Sequence, residues 1–263
     1  MARERRLVFG EVAEQYDRSR PSYPDALVDE LVALAGLGPG RRVLEVGAGT
    51  GKATAMFALR GVPLLALEPS AAMAAVARRK LESYPEVELV ESDFERWDPR
   101  GAEFSLIYAA QSWHWVTPEL GYLRARAALT PGGLLAVFWN RPRWGRVELR
   151  DELAAVYAIQ APDLDTDSPM HPAGALAPER QDSWEREIAQ SPSFVDAQIR
   201  NYDWTCEYSA GEYARLLETH SDTRMLSQKR RARLLAAVAG EIERRGGSLQ
   251  MSYVTRLCLA RAV

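Results

Sequence analysis

Residues 42–54 read Arg42-Val43-Leu44-Glu45-Val46-Gly47-Ala48-Gly49-Thr50-Gly51-Lys52-Ala53-Thr54. Val43, Leu44 and Val46 form a short apolar run of the kind a buried strand uses. Three glycines at alternate positions follow, and a helical pattern begins after them. Glycine turns through left-handed conformations and lets a ligand approach where a Cβ would collide. Free N–H groups at the start of the next helix suit a small anionic or carboxylate group. Spacing then narrows the ligand. A phosphate-binding P-loop needs glycine, four residues, then Gly-Lys-Ser/Thr. Counting back from Gly51-Lys52 puts Val46 at the first glycine and Ala53 at the hydroxyl, so that reading fails twice. The dinucleotide pattern G-x-G-x-x-G fits Gly47 and Gly49 but meets Lys52 at its third glycine. What remains is E-x-G-x-G-x-G, with Glu45 just before the turn. A glycine-rich turn without a ligand is the plain alternative.

Working outward, Phe9, Val12, Ala13 and Tyr16 recur at helical spacing, and Pro21 and Pro24 end that segment. A helix over 25–35 follows, with Leu27, Val28, Leu31, Val32 and Leu34 on its buried face and Gly36 as its stop. Beyond the glycine turn, helices alternate with apolar strands at 64–67, 87–90, 104–109 and 134–139. Ser70 suits the N-cap of a helix over 71–81, Thr117-Pro118-Glu119 opens another, and Pro131-Gly132-Gly133 reads as a turn. Five near-continuous apolar strands alternating with helices predict an α/β, Rossmann-like, doubly wound and mostly parallel sheet. Such sheets bind ligands beyond the carboxyl ends of their strands.

The stretch 140–193 breaks the alternation and reads as a helical cap or insertion: a helix over 147–160, a loop over 161–183 and a short helix over 184–190. From 194 the pattern returns, with a strand over 195–208 and a capping box at Ser209–Glu212. A basic amphipathic helix spans about 228–245, and an antiparallel last strand covers 249–260. We expect one domain over 1–263: N-terminal helices to 36, a binding core over 37–139, the insertion, and a C-terminal completion of the sheet over 194–263.

Apolar residues make up 47% and charged residues 26% of 263, with net charge −3, as in ordinary globular chains. That balance, with only short arginine clusters, argues against nucleic acid as a partner. No run is long enough to span a bilayer, and Cys206 and Cys258 are too few for a metal cluster or a disulfide framework. The expectation is a cytoplasmic protein, monomer or homodimer, with free thiols and no metal.

The glycine block, Glu68-Pro69-Ser70, Ser92-Asp93-Phe94 and the segment 129–133 resemble, in order, the motifs of class I S-adenosylmethionine-dependent methyltransferases. Further blocks, Tyr16-Asp17-Arg18-Ser19-Arg20-Pro21-Ser22-Tyr23-Pro24, Ala110-Gln111-Ser112-Trp113-His114-Trp115 and the segment 213–226, resemble small-molecule members such as the trans-aconitate methyltransferase group. Ser105 departs from the pattern, since relatives usually carry Asp there; the position is structural.

The resemblance implies S-adenosyl-L-methionine as cofactor and a small-molecule acceptor, methylated on a carboxylate or hydroxyl oxygen, with nitrogen or carbon as alternatives. Gly47, Ala48, Gly49 and Gly51 would carry the donor, with Pro69 and Ser70 beside them. Glu68 would accept the ribose hydroxyls, against a solvated turn acid as the alternative. Asp93 and Phe94 would meet the adenine, against a turn acid and a core ring. Glu45, nearly buried, should be hydrogen-bonded to loop N–H groups or to the ligand ammonium. Gln111 would bond the methionine part, and Arg20 with Tyr16 would fold over it, against a solvated face. His114 is the candidate base, against a wall residue. Trp113, Trp115 and Trp139 would border the sulfonium or the acceptor, against core packing. Two other classes compete: a nicotinamide oxidoreductase and a donor-binding module without turnover.

Overall fold

Strand β1 (Val43–Val46) is buried along its whole length, and so is β2 (Leu64–Leu67). Parallel strands covered on both faces read as unbroken apolar runs, which is why these segments were legible. The computed structural model describes residues 13–99, 101, 103–166, 168, 171–174 and 183–263. Phe9 and Val12 of the expected first helix lie outside the described residues, as do 167, 169–170 and 175–182 of the expected loop.

The remaining strands are β3 (Val87–Val90), β4 (Phe104–Ala110), β5 (Leu129–Pro142), β6 (Phe194–Ser209) and β7 (Ser248–Ala262). They form one sheet in the order β3-β2-β1-β4-β5-β7-β6. Strands β1 to β5 are parallel, β7 is antiparallel to β5, and β6 is antiparallel to β7. Strand order reverses between β1 and β4, and an open α/β sheet leaves its binding crevice at that switch point.

Side chains alternate between two cores. Leu44, Val46, Leu65, Leu67, Ile107, Leu135 and Val137 face one side. Val43, Leu64, Ala66, Leu106, Tyr108, Leu134 and Phe138 face the other. The second core is covered by α2 (Asp25–Leu34) and α3 (Lys52–Ala58). The first is covered by α5 (Pro118–Ala128) and α7 (Ser183–Gln190). Helices α4 (Ala71–Leu81) and α6 (Arg150–Gln160) lie between these in the chain. Ser70 caps α4 by accepting from Met73 N, as expected.

Two local expectations change. Pro131–Gly133 is no turn: β5 runs through it, and the irregularity is a register shift opposite Phe104 and Leu106, with Gly132 at φ 73°. The Thr117 side chain makes no capping bond to α5. Pro118 opens that helix, and the Thr117 N–H donates to Glu95 Oε1 at 2.9 Å.

The expected insertion also divides. Helix α6 joins α8 (Ala210–Glu218) and α10 (Gln228–Arg244) in a separate apolar cluster with the far ends of β6 and β7. Helix α7 instead returns to the main sheet, where Trp184 and Ile188 enter the first core. The buried Glu185 carboxylate accepts from Nε and Nη2 of Arg256 on β7 and pins α7 there.

The N-terminal helix α1 (Ala13–Ser19) packs Ala13 and Tyr16 against Met73 and Val76 of α4. Ion pairs Glu14–Arg79 and Asp17–Lys80 bind it to α4. On the other side Gln15 Nε2 donates to Glu218 Oε2 at 2.7 Å, and Arg20 donates to Thr219 Oγ1 (2.9 Å) and O (3.0 Å). Thr219 leads into the short helix α9 (Ser221–Met225). Helix α1 is therefore a strap between α4 and α8. Among the described residues no helix is long and apolar enough to cross a membrane.

Candidate active site

A cavity of about 720 Å³ opens at the carboxyl ends of the parallel strands, under the α1 strap. Its floor is the glycine turn. Gly47, Gly49 and Gly51 all have positive φ (75°, 58° and 77°), so the alternate spacing is a conformational requirement. The three glycines differ in what surrounds them. A Cβ at Gly47 would lie 2.6 Å from Ser112 Cβ, so this residue lets β1 and β4 diverge around a close contact. A Cβ at Gly51 would lie 3.2–3.3 Å from Leu81 and Ala77, so this one seats α3 on α4. A Cβ at Gly49 would meet no protein atom within 4 Å, and Gly49 lines the cavity. Gly51 does not line it, so its contribution is packing rather than contact with a ligand.

Glu45 is 1% exposed. Its Oε2 accepts from Thr54 Oγ1 at 2.5 Å and Tyr108 OH at 2.8 Å. These partners correct the expected loop N–H bonds: the strand alternation turns Glu45 toward α3 and Tyr108 of the second core. Oε1 is buried without a partner in the protein, and Glu45 lines the cavity. Burial raises the carboxyl to about 7, and the Thr54 and Tyr108 bonds oppose that rise. A buried acceptor left unpaired is costly, so this oxygen calls for a donor from within the cavity.

Glu68 ends β2. Its Oε2 accepts from Gly49 N at 2.7 Å and its Oε1 from Ser70 N at 2.8 Å. The carboxylate is thus locked across the mouth of the turn. Pro69, Ser70, Asp93 and Phe94 line the same wall, with Phe94 also reaching the first core. Asp93 pairs with Arg96 at 3.5 Å. Ala48, Tyr16 and Arg20 line the cavity too; two bonds of the Arg20 guanidinium are committed to Thr219.

At the end of β4 the chain is strained. Gln111 sits at φ 59°, a left-handed conformation unusual for a residue with a side chain. This turn aims Gln111 into the cavity, where its Nε2 donates to Tyr23 OH at 3.1 Å. The following 3₁₀ turn, Trp113–Trp115, separates its three rings. His114 and Trp115 line the cavity, as does Trp139 of β5. Trp113 does not; it is 3% exposed and packs on Phe94 and Tyr122, so it belongs to the core. The His114 ring lies 4.5 Å from Trp115 and 6.0 Å from Trp139. Desolvation by this apolar surround lowers its pKa, by less than full burial would because the residue stays exposed to solvent on one side. The imidazole is neutral near pH 7.

The sequence pointed past several contributors. Tyr108 and Thr54 hold Glu45, yet each reads as an ordinary strand or helix residue. Tyr23, Ser112 and Ser221 line the cavity; only Ser221 comes from beyond the fifth strand. No described residue of 140–200 lines it; among the described residues the cover comes from the N-terminal helix α1 and the start of α9. His171 and His220 are buried away from this wall. His171 Nδ1 accepts from Ala173 N at 3.1 Å, and burial holds the His220 imidazole well below its usual range. Among the described residues no cluster of three or more His, Cys, Asp or Glu could hold a metal.

Comparison with known proteins agrees with this geometry. Residues 43–133 match the family model described as "Methyltransferase domain". An uncharacterised methyltransferase of Mycobacterium tuberculosis is 36% identical over 138 residues, covering 52% of this chain and 54% of that protein. Trans-aconitate 2-methyltransferase of Paracidovorax citrulli is 35% identical over 125 residues, 46% of this chain and 45% of that protein. The chain thus spans about half the length of the curated relatives it matches. Among solved structures, a provisionally named type II methyltransferase of Anaeromyxobacter dehalogenans superposes with TM-score 0.61 at 19% identity. That alignment covers 92% of this chain and 97% of the other. The chain has the Rossmann-like fold of that structure, and its residues 43–133 match a methyltransferase domain.

Proposed function

We propose that this chain transfers a methyl group from S-adenosyl-L-methionine to a small-molecule acceptor, on a carboxylate or hydroxyl oxygen. The observation that carries the reading is the buried, unpartnered Glu45 Oε1 on the cavity wall. An ammonium group would satisfy it. The open space above Gly49 gives the rest of an amino-acid nucleoside room to lie against the turn. The residues present fit the donor.

That donor supplies an electrophilic methyl on a sulfonium whose charge vanishes on transfer. The protein's work is therefore alignment and exclusion of water rather than stabilisation of new charge. Glu68 is held rigid by two backbone N–H groups and presents its carboxylate to the ribose hydroxyls. Asp93 and Phe94 border the base, and Gln111, steadied by Tyr23, reaches the amino-acid end. Helix α1 closes the cavity from above. His114 faces the acceptor as a neutral ring. A carboxylate acceptor needs no base, because it is already ionised near neutrality. One relative is named for trans-aconitate, itself a carboxylic acid.

Cys206 and Cys258 are both free thiols, in keeping with a reducing, cytoplasmic setting. The test incubates the protein with tritium-labelled donor and a metabolite extract. The proposal expects label in a small organic product, released by mild alkali if the product is a methyl ester. No transfer together with oxidation of NADH would replace it with an oxidoreductase.

A further inference from the structure

The acceptor wall has a composition of its own. Trp115, His114 and Trp139 form three contiguous ring faces along the cavity, with centroid separations of 4.5 and 6.0 Å. Trp139 is stacked from behind by Trp184 of α7, centroids 4.2 Å apart and planes at 26°. The backing is itself fixed. Trp139 pairs with Arg256 across β5 and β7, and Arg256 holds Glu185, the neighbour of Trp184, through a buried two-pronged ion pair. A rigid aromatic wall gains most from a ring that can stack or meet it edge-on.

The polar groups point the same way. Gln111 and Tyr23 are neutral, and the neutral His114 ring can offer an N–H to an oxygen. Two described cations line the cavity: Lys52, which lies 4.0 Å from Asp17, and Arg20, which gives two N–H groups to the uncharged Thr219 and keeps its charge. An acceptor with several carboxylates would need a partner for each buried charge. An acceptor with one carboxylate needs one, and a sulfonium opposite it provides that charge.

Resting on the methyltransferase reading, we infer that the acceptor is a monocarboxylic acid bearing an aromatic ring, seated against Trp115, His114 and Trp139. In the transfer, a carboxylate oxygen forms the new O–C bond as the donor's S–C bond breaks. The electron pair of that bond stays on sulfur, which becomes a neutral thioether. No proton moves, because the acid enters ionised.

The test has two stages. Calorimetry with S-adenosylhomocysteine comes first; absence of binding removes the methyltransferase reading and this inference with it. Given binding, labelled-donor assays compare aromatic monocarboxylic acids (benzoic, cinnamic and indole-acetic types), phenols, and aliphatic tricarboxylic acids. The inference expects turnover confined to the first group. Trp139→Leu should raise acceptor KM about tenfold or more, Trp139→Phe should retain most affinity, and S-adenosylhomocysteine binding should stay unchanged in both. Turnover of tricarboxylic acids or phenols in preference, or unchanged acceptor KM in Trp139→Leu, overturns the inference. So does a selective loss of S-adenosylmethionine over S-adenosylhomocysteine affinity in that variant, which would assign the wall to the sulfonium.

Discussion

Replacing Gly49 by alanine separates the fold from the site. At φ 58° a residue with a Cβ is strained, by about 1–2 kcal/mol for the left-handed region. The new methyl meets no protein atom within 4 Å, so no clash adds to that cost. For a chain of this size the melting temperature should fall by about 2–8 °C. The Gly49 N–H that holds Glu68 is retained, so the carboxylate stays in place. Inside the cavity the methyl occupies space that the donor is proposed to fill. Forcing such overlap costs about 1–3 kcal/mol, roughly 5- to 150-fold in donor Kd. Calorimetric titration with S-adenosylhomocysteine well below the melting point reads this directly. Gly47→Ala is the contrast: its Cβ would collide with Ser112, and stability should suffer more than in Gly49→Ala. An undiminished donor affinity in Gly49→Ala would refute the placement of the ligand on this turn.

Other expectations rest on separate groups. The folded Glu45 carboxyl titrates at about 7 against a usual 4.5, so between those values the folded chain holds a proton that the unfolded chain has lost. Its contribution to stability therefore falls as pH rises from about 4.5 to 7 and levels off above, by about 1–3 kcal/mol in all. Thermal melts across that range should show a slope that Glu45→Gln removes. Donor affinity should move oppositely, weakening as pH drops below about 7, because an ammonium needs the ionised acid. His114→Ala should raise acceptor KM while lowering kcat by less than about tenfold; a loss of 100-fold or more in kcat would restore the general base. Glu185→Gln leaves a buried guanidinium without its counter-charge and should cost about 3–5 kcal/mol, visible as a large fall in melting temperature.

Strand-by-strand, the fold was readable because β1, β2 and β4 are buried on both faces and so carry unbroken apolar runs. Residues at strand ends were readable for the same reason: the order of strands puts Gly47, Glu68, Asp93 and Gln111 around one opening. Trp113 and Trp115 were not separable, because a 3₁₀ turn of three residues decides which ring enters the core, and that geometry leaves no period. Gly51 looked like Gly49 in the sequence, and only the closeness of α4 distinguishes them. The partners of Glu45 were hidden for a further reason. Tyr108 lies 63 residues away on a neighbouring strand, and pairing register, not local spacing, brings the two together. Where the segment after 140 packs was not legible, because a break in periodicity says that an element departs from the pattern, not which surface it covers.

The most direct test is a crystal structure with S-adenosylhomocysteine bound. Ribose hydroxyls on Glu68, the base beside Asp93 and Phe94, and the ammonium within hydrogen-bonding distance of Glu45 Oε1 are the predicted result. A ligand bound away from the glycine turn, or one that leaves Glu45 Oε1 unpaired, would contradict the account.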